Sequence, residues 1–371
     1  GQIECRPDGT PLYHHYNSDA VWGTFWKLNQ LWTLAYPDFL NDYIRCHLDH
    51  FRDCGWLPDS IAAAKHVSGV GTDYMGLLVS AAYNCGVRDY DPEQAFTAVW
   101  RNEMGWQNRP KGVGKADLKA FLDQGYVPLV THADTYSGSS SVGSQFSASH
   151  TLEYSFSAFA AAQFARALGK KSEAAQLLKN SQGWTHLYDS QSHFIRPKDL
   201  QGQFIQDFNP RKAWVGFQEG NAWQYTFYVP HDPAGLIARM GLSTFNQRLE
   251  DVFRQAEATG FGGGTTIDAF AGVENSYNHG NQPSLHIAWL FNYGAQPWRT
   301  QYWVRRICEV FYGTEPIHGY GYGQDWTYFG SESPFEPARL GQWFKYDPKQ
   351  AKQLLDAAGV KDLQLDFLMG S

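Results

Sequence analysis

The helical period of the apolar residues is the strongest constraint that this sequence places on its fold. The stretch TLEYSFSAFAAAQFARAL, residues 151–168, carries apolar side chains at intervals of three and four, and Gly169 follows as a C-terminal cap. The members of this stripe are Leu152, Phe156, Phe159, Ala160 and Phe164. Similar patterns predict helices over seven further segments: 39–51, 73–86, 92–103, 115–123, 170–181, 246–258 and 298–312. Few strands are predicted, so the expected fold class is mainly α.

Three long segments rich in glycine and aromatic residues interrupt these helices: 131–148, 260–283 and 313–330. Long loops in a compact helical protein usually carry function, because a plain bundle needs only short connections. The alternation therefore predicts a ring of paired helices with a site built from loops at one end.

Composition limits the class of protein. Of 371 residues, 43% are hydrophobic and only 18% are charged, which allows a large core and excludes extensive disorder. Aromatic residues make up 16% of the chain, which suits either a large core or a surface on which sugar rings stack. The net charge of −7 and the lack of a Lys/Arg run argue against nucleic-acid binding. No apolar run reaches the length of a membrane span.

The five cysteines contain no CxxC pair, and their number is odd, so neither a disulfide framework nor a zinc site is predicted. The chain opens GQIECRPDGT without a signal peptide. Such a start is expected if the chain was cut from within a longer gene product.

A lone carboxylate, Glu219, stands in WVGFQEGNAWQYTFYVPHD, residues 214–232, where its nearest basic neighbours are Lys212 and His231. Burial without a positive partner would raise the pKa of Glu219, which is what a general acid requires. The alternative is a glutamate that is hydrogen-bonded to neighbouring amides and only fixes a loop.

Two other segments carry candidate ligands. YNHGNQPSLH, residues 277–286, offers amide oxygens that suit calcium, whereas its histidines lack the HxxxH spacing of a zinc site. GYGYGQD, residues 319–325, ends in Asp325, which could bind a metal or activate water. A self-bonded polar loop and a surface turn are the respective alternatives.

Acidic residues at two helix starts admit structural interpretations. Asp19 precedes the helix that contains Trp22 and could cap it. Glu153 lies early in the 151–168 helix, where a carboxylate favours the helix dipole.

Taken in order, these stretches resemble glycoside hydrolase family 92, the calcium-dependent exo-acting α-mannosidases. EGNAWQYTFYVPHD is the most specific of them, and the resemblance covers roughly residues 12–325. The other matching stretches are TLEYSFSAFAAAQFARALGK, FIRPKDLQGQF, GLIARMGLSTFNQRLEDVF, YNHGNQPSLHIAWLFNYGAQPWRTQYWVRRI and GYGYGQD. The resemblance implies an (α/α)6 toroid that is incomplete at its C-terminal end, without the family's N-terminal β-sandwich.

The resemblance also implies an activity: hydrolysis of terminal α-linked mannose from glycans with inversion, assisted by Ca²⁺. Glu219 corresponds to the general acid. Asn281, Gln282 and Asp325 correspond to the residues that hold the calcium and the reacting water. Asp325 is also expected to be catalytic. The expected substrate contacts are Asp19, Trp22, Trp223, His279 and Gly280.

Departures from the family pattern affect three of these positions. Trp22 is followed by Gly23 where the family has aspartate, so either Asp19 replaces that sugar contact or the contact differs in this chain. Gln282 stands for a glutamate ligand, which weakens calcium binding. After Asp325 the family's second aspartate is absent, so this chain could be inactive.

Two domains are expected: the toroid over 1–325 and an unrelated tail over 326–371. The tail's WFKYDPKQAKQLLDAAGV resembles family 5 extracellular solute-binding proteins, as a gene fusion or an assembly artefact would produce. The family resemblance implies a secreted, periplasmic or cell-surface location. The alternatives are a non-catalytic carbohydrate-binding module, another helical-toroid glycosidase or, from the tail alone, a peptide-binding transport component.

Overall fold

The computed structural model describes residues 4–16, 21–62, 65–67, 70–110, 112–130, 144–262, 272–312 and 348–357. Helices dominate this part of the chain, so the predicted fold class is confirmed. The α-helices are α1 Val21–Thr24, α2 Leu28–Ala35, α3 Pro37–Cys54, α4 Tyr74–Asn84, α5 Pro92–Met104, α6 Leu118–Gln124, α7 Ser147–Ala167, α8 Lys171–Asn180, α9 Ala222–Tyr225, α10 Pro233–Met240, α11 Leu242–Glu257, α12 Pro297–Val310 and α13 Pro348–Ala357.

Short elements connect these helices. Within the described ranges, five 3₁₀ turns cover Ser144–Phe146, Gly183–His186, Gly260–Gly262, Gln282–Ser284 and Ile287–Asn292. Two antiparallel hairpins pair β1 Ser60–Ala62 with β2 Lys65–Val67, and β3 Tyr188–Asp189 with β4 Phe194–Ile195.

Helix α7 lies inside the fold. It packs against α4, α5 and α8, and residues on all of its sides are buried. Burial is therefore not confined to the predicted stripe, of which Leu152 and Phe164 are buried but Phe156, Phe159 and Ala160 are half-buried. Small residues on the other sides of the helix let its neighbours pack there as well. Beyond its C-terminal end, Gly169 adopts the left-handed φ of 74°, which confirms the predicted cap.

Other helices are amphipathic and lie further out. Helix α3 buries one face, which includes Leu40, Ile44 and Leu48, and α11 buries Phe245, Leu249 and Phe253. The apolar core consists of two large clusters, and Trp26 packs against both of them. Burial of these stripes supplies the main free energy that holds the helices together.

A buried ion cluster lies between α5 and the start of α6. The Lys115 ammonium lies 2.6 Å from Glu103 Oε1 and 3.6 Å from Asp73 Oδ2, and all three side chains are buried. Desolvation raises the pKa of Glu103, against the attraction of Lys115. Gly114, immediately before the lysine, has φ +75°, and a Cβ there would lie 1.8 Å from the Thr72 carbonyl oxygen.

The eight helices predicted from periodicity are all present, with ends shifted by a few residues. The short helices α2, α9 and α10 were missed, because four to eight residues carry too little period to recognise. In the predicted tail, only α13 is among the described residues, so the expected domain division stays a prediction.

Candidate active site

The Glu219 loop is fixed by backbone contacts to the start of α7. The Gly216 carbonyl accepts hydrogen bonds from the amides of Ala148, at 2.9 Å, and Ser149, at 3.1 Å. The Ser149 hydroxyl in turn accepts from the Gln218 amide at 3.0 Å. The residue that follows is Glu219, whose φ of +50° lies in the left-handed region that non-glycine residues rarely adopt. Surrounding contacts therefore impose a strained conformation on this carboxylate-bearing residue, a condition common at functional sites.

The amide side chains of EGNAWQ tie this loop to a second segment. Asn221 caps α9 by accepting from the Trp223 amide at 2.9 Å, and its Nδ2 donates to the carbonyls of Val273 and Asn275. Gln224 Nε2 donates to the carbonyl of Asn275 at 3.0 Å as well. Both amides act as cross-links, which explains why this stretch is rich in amides.

A third cross-link reaches Glu219 directly. Asn281 Nδ2 donates to the Glu219 carbonyl oxygen at 2.8 Å, while Asn281 Oδ1 accepts from the Gln282 amide at 2.9 Å. The 219 and 277–286 segments, which are 62 residues apart in the chain at this contact, therefore meet in the fold.

The Glu219 side chain is half-buried. Desolvation raises its pKa to about 7, and a hydrogen bond from Asn281 offsets part of that rise. No charged group contributes to this shift among the described residues. The predicted effect of burial without a cation is therefore confirmed, and near neutral pH this carboxyl can hold or release a proton.

A second carboxyl, Glu153, lies deep in the same region. Glu153 Oε1 accepts from Trp22 Nε1 at 2.9 Å, and Glu153 Oε2 accepts from the hydroxyls of Tyr74, at 2.7 Å, and Tyr228, at 2.6 Å. Desolvation raises its pKa well above the usual range, although the Trp22 hydrogen bond acts in the opposite direction. Its side chain is 3% exposed.

The prediction that Glu153 lies at the helix start and favours the helix dipole is therefore wrong. It lies in the second turn of α7, which begins at Ser147, and it points into the core. The signal that could have identified it is its position one turn inside a helix whose other charged residue, Arg166, lies in the last turn. Tyr225, whose hydroxyl donates to the Gln218 carbonyl at 2.7 Å, experiences the charge of both Glu153 and Glu219. The two carboxyls are therefore both close enough to Tyr225 to raise the pKa of its hydroxyl.

Gln282 provides the atom that best fits the expected calcium. Its Oε1 is buried and accepts no hydrogen bond within the described part of the chain. An oxygen in that state suits a hard cation, which prefers carbonyl and carboxylate ligands. Asn281 fits less directly, because its Oδ1 already accepts from a backbone amide and its Nδ2 donates to Glu219. The candidate donor set on the described residues is thus neutral.

His279 is held by hydrogen bonds to two tyrosines. Its Nδ1 lies 2.7 Å from the Tyr277 hydroxyl and its Nε2 lies 2.9 Å from the Tyr312 hydroxyl. Desolvation lowers the pKa of His279 to about 3, and the charge of Lys27 adds to that effect. The imidazole is therefore neutral near pH 7. The adjacent Gly280 is buried and donates its amide to Asn278 Oδ1 at 3.0 Å.

The two tryptophans expected at the substrate occupy different surroundings. Trp22 is only 2% exposed, and its contact is with Glu153. Trp223 is half-buried, with Phe194 at its edge and the Arg248 guanidinium 5.3 Å from its ring centroid. The residue after Trp22 is Gly23, where an added Cβ would lie 3.4 Å from Gln282 Nε2. Helix α1, which contains Trp22, therefore adjoins the Gln282 loop.

Asp19 and Asp325 lie outside the described residues, and their predicted roles stay predictions. The described residues place Glu219, Asn281 and Gln282 together, with Trp22 and Glu153 behind them.

Comparison with known proteins matches most of the chain to one family. The model of the glycosyl hydrolase family 92 catalytic domain matches residues 5–326. An uncharacterized secreted glycosidase of Arthroderma benhamiae is 26% identical over 325 residues, which is 76% of this chain and 38% of that protein.

Two solved structures from Bacteroides thetaiotaomicron are also similar, each with 25% identity. The family GH92 inverting mannosidase BT2199 gives a TM-score of 0.71, with 84% of this chain and 43% of that one covered. The α-mannosidase BT3965 in complex with mannoimidazole gives 0.66, with 83% and 39% covered.

This chain spans about two fifths of the length of these relatives. No helix in the described segments is long and apolar enough to cross a membrane. The family match extends over most of the chain and contains every described site residue, and the helical architecture agrees with an incomplete helical toroid. The chain belongs to glycosyl hydrolase family 92.

Proposed function

We propose that this chain supplies the general acid of an exo-acting α-mannosidase. Such an enzyme removes terminal α-linked mannose from glycans with inversion and with the help of calcium. The observation that carries the proposal is Glu219, a carboxyl with a pKa of about 7 on a strained backbone that three amide side chains hold in place. The names of two similar proteins, an inverting mannosidase and an α-mannosidase, support the substrate class.

Inversion needs a protonated acid at the glycosidic oxygen and a base that activates water on the opposite face of the sugar. Glu219 fits the first role, because burial keeps a large share of it protonated at neutral pH. Its proton passes to the leaving oxygen as the bond from that oxygen to the anomeric carbon breaks. Glu153 does not fit the role of base, since three donors occupy its buried oxygens. By resemblance, Asp325 is assigned to the calcium and the reacting water, and the family's second aspartate, the expected base, is absent after Asp325.

Calcium, when bound, would polarise sugar hydroxyls and favour a flattened ring that approaches an oxocarbenium ion. In this chain Gln282 Oε1 would be one of its ligands, with Asp325 as the expected anionic one. Because Gln282 is neutral, we propose weaker calcium binding than a glutamate at this position would give. We also propose a secreted or cell-surface location, in keeping with the description of the Arthroderma protein as a secreted glycosidase.

The test measures release of mannose from an aryl α-mannoside and from α-1,2-, α-1,3- and α-1,6-mannobioses, with calcium and with EDTA. Glu219→Gln keeps the shape of the side chain and removes its proton, so it should abolish release from the mannobioses, whose leaving groups need protonation. Glu274→Gln, at an exposed glutamate of the neighbouring 272–278 segment, is the matched control. Proton NMR of the mannose anomer that is released first shows whether the reaction inverts the anomeric configuration.

Calcium-dependent release that survives in Glu274→Gln but not in Glu219→Gln supports the proposal. Release that Glu219→Gln leaves unchanged removes the acid role. If wild type and Glu219→Gln both bind mannose but neither releases it from a substrate, the non-catalytic carbohydrate-binding alternative is favoured instead.

A further inference from the structure

A cluster of soft ligands lies where the segment 13–16 crosses helix α3. Cys46 Sγ lies 3.7 Å from His15 Nδ1 and 3.7 Å from His50 Nε2. One ligand atom from each of the three residues lies within 4.8 Å of the others. Cys46 is buried and the two histidines are half-buried, so the cluster faces the edge of the core.

These distances suit one tetrahedral metal ion. With metal–sulfur bonds of about 2.3 Å and metal–nitrogen bonds of about 2.05 Å, a tetrahedral angle places sulfur and nitrogen about 3.6 Å apart. Both observed sulfur–nitrogen distances are 3.7 Å. Cys46 and His50 are four residues apart on α3, so the helix itself holds them on one face.

The groups around the cluster match those that orient metal ligands. His15 Nε2, the nitrogen that faces away from Cys46, lies 3.4 Å from Asp49 Oδ2. A carboxylate behind a ligating histidine fixes the ring and increases its basicity. The Tyr16 amide also donates to Cys46 Sγ at 3.2 Å, an interaction that stabilises a thiolate. Asp49 is itself held by Arg52 at 2.5 Å and by the Tyr13 hydroxyl.

We propose that His15, Cys46 and His50 form a binding site for a zinc-class divalent cation, with a fourth position open to water or another small ligand. Thiolate and imidazole ligands select zinc over calcium, which prefers oxygen. The bound ion would tie residues 13–16 to α3, alongside the ion pair of Glu4 with Arg52. The cysteine spacing predicted no zinc site, because one histidine comes from a segment about 30 residues earlier in the chain.

The test uses the full chain, freed of metal with a chelator and kept reduced with a phosphine, and titrated with Co²⁺. We expect a thiolate-to-cobalt charge-transfer band in the near ultraviolet and strong visible bands of four-coordinate cobalt, both saturating at one equivalent. Zn²⁺ should displace the cobalt and raise the thermal midpoint. Cys46→Ser should abolish the charge-transfer band.

Cys54→Ser is the matched control. Cys54 lies at the end of the same helix and approaches His66 Nε2 at 3.5 Å, but in the described residues that pair does not belong to a three-ligand cluster. This variant should keep the band. His15→Gln and His50→Gln should weaken cobalt binding, and they decide the question if Cys46→Ser fails to fold by circular dichroism.

Asp49→Asn should weaken cobalt binding by about 10- to 100-fold, as loss of a carboxylate behind a ligating histidine does. The proposal is overturned if the wild-type protein gives no charge-transfer band. It is equally overturned if the band is lost in Cys54→Ser but kept in a folded Cys46→Ser.

Discussion

Replacement of Glu219 by glutamine should stabilise the folded protein at alkaline pH and leave its stability nearly unchanged at acidic pH. The carboxyl has a pKa of about 7 in the fold, compared with an ordinary value of 4.5. A difference of about 2.5 units corresponds to up to about 3 kcal/mol of unfolding free energy, at 1.36 kcal/mol per unit.

The sign follows from proton binding. Because the folded chain holds this proton more tightly than the unfolded chain, the stabilisation is complete below pH 4.5 and is lost as the pH rises through 7. Above pH 7 the wild-type fold must hold an ionised, partly desolvated carboxylate, whereas Glu219→Gln carries a neutral amide of the same shape. The variant should therefore gain up to about 3 kcal/mol relative to wild type at pH 8.5, and almost nothing at pH 4.

The assay is denaturant unfolding followed by tryptophan fluorescence at pH 4, 6 and 8.5, for wild type and variant in parallel. Groups that titrate elsewhere cancel in the difference between the two proteins. Glu274→Gln, an exposed glutamate, controls for the loss of one negative charge. A difference between wild type and Glu219→Gln that stays constant across this pH range would refute the reasoning, since it would mean that burial does not perturb this carboxyl.

Three further outcomes follow from the structure. Lys115→Met leaves two buried carboxylates without their cation and should cost about 3–5 kcal/mol of unfolding free energy, measured by denaturant titration; an unchanged midpoint would contradict it. Gly114→Ala should lower the thermal midpoint strongly, because its Cβ would lie 1.8 Å from the Thr72 carbonyl oxygen at φ +75°; a midpoint within a degree of wild type would show that this contact relaxes freely. Asn281→Ala removes the amide that holds the Glu219 carbonyl, so it should cost about 1–3 kcal/mol and reduce any mannosidase activity; full activity and stability would remove Asn281 from the site.

Apolar periodicity in the sequence was enough to predict eight of the helices, and the family resemblance named the principal site residues. Apolar period is a local property, so α3, α7 and α11 could be predicted from a few turns each. The absence of a basic residue close to Glu219 in the chain predicted the direction of its pKa shift, and among the described residues no charged group contributes to that shift. The family motifs grouped the 219 and 277–286 segments before any contact was known.

Only the tertiary structure decided what surrounds each polar group. The burial of Glu153 depends on Trp22, Tyr74 and Tyr228, which lie 131, 79 and 75 residues away in the chain. The His15–Cys46–His50 cluster likewise needs an extended segment to cross a helix at one particular turn. Periodicity and composition describe one segment at a time, whereas pKa values and metal-ligand sets depend on distances between atoms of different segments. Those distances are set by the packing of the whole core.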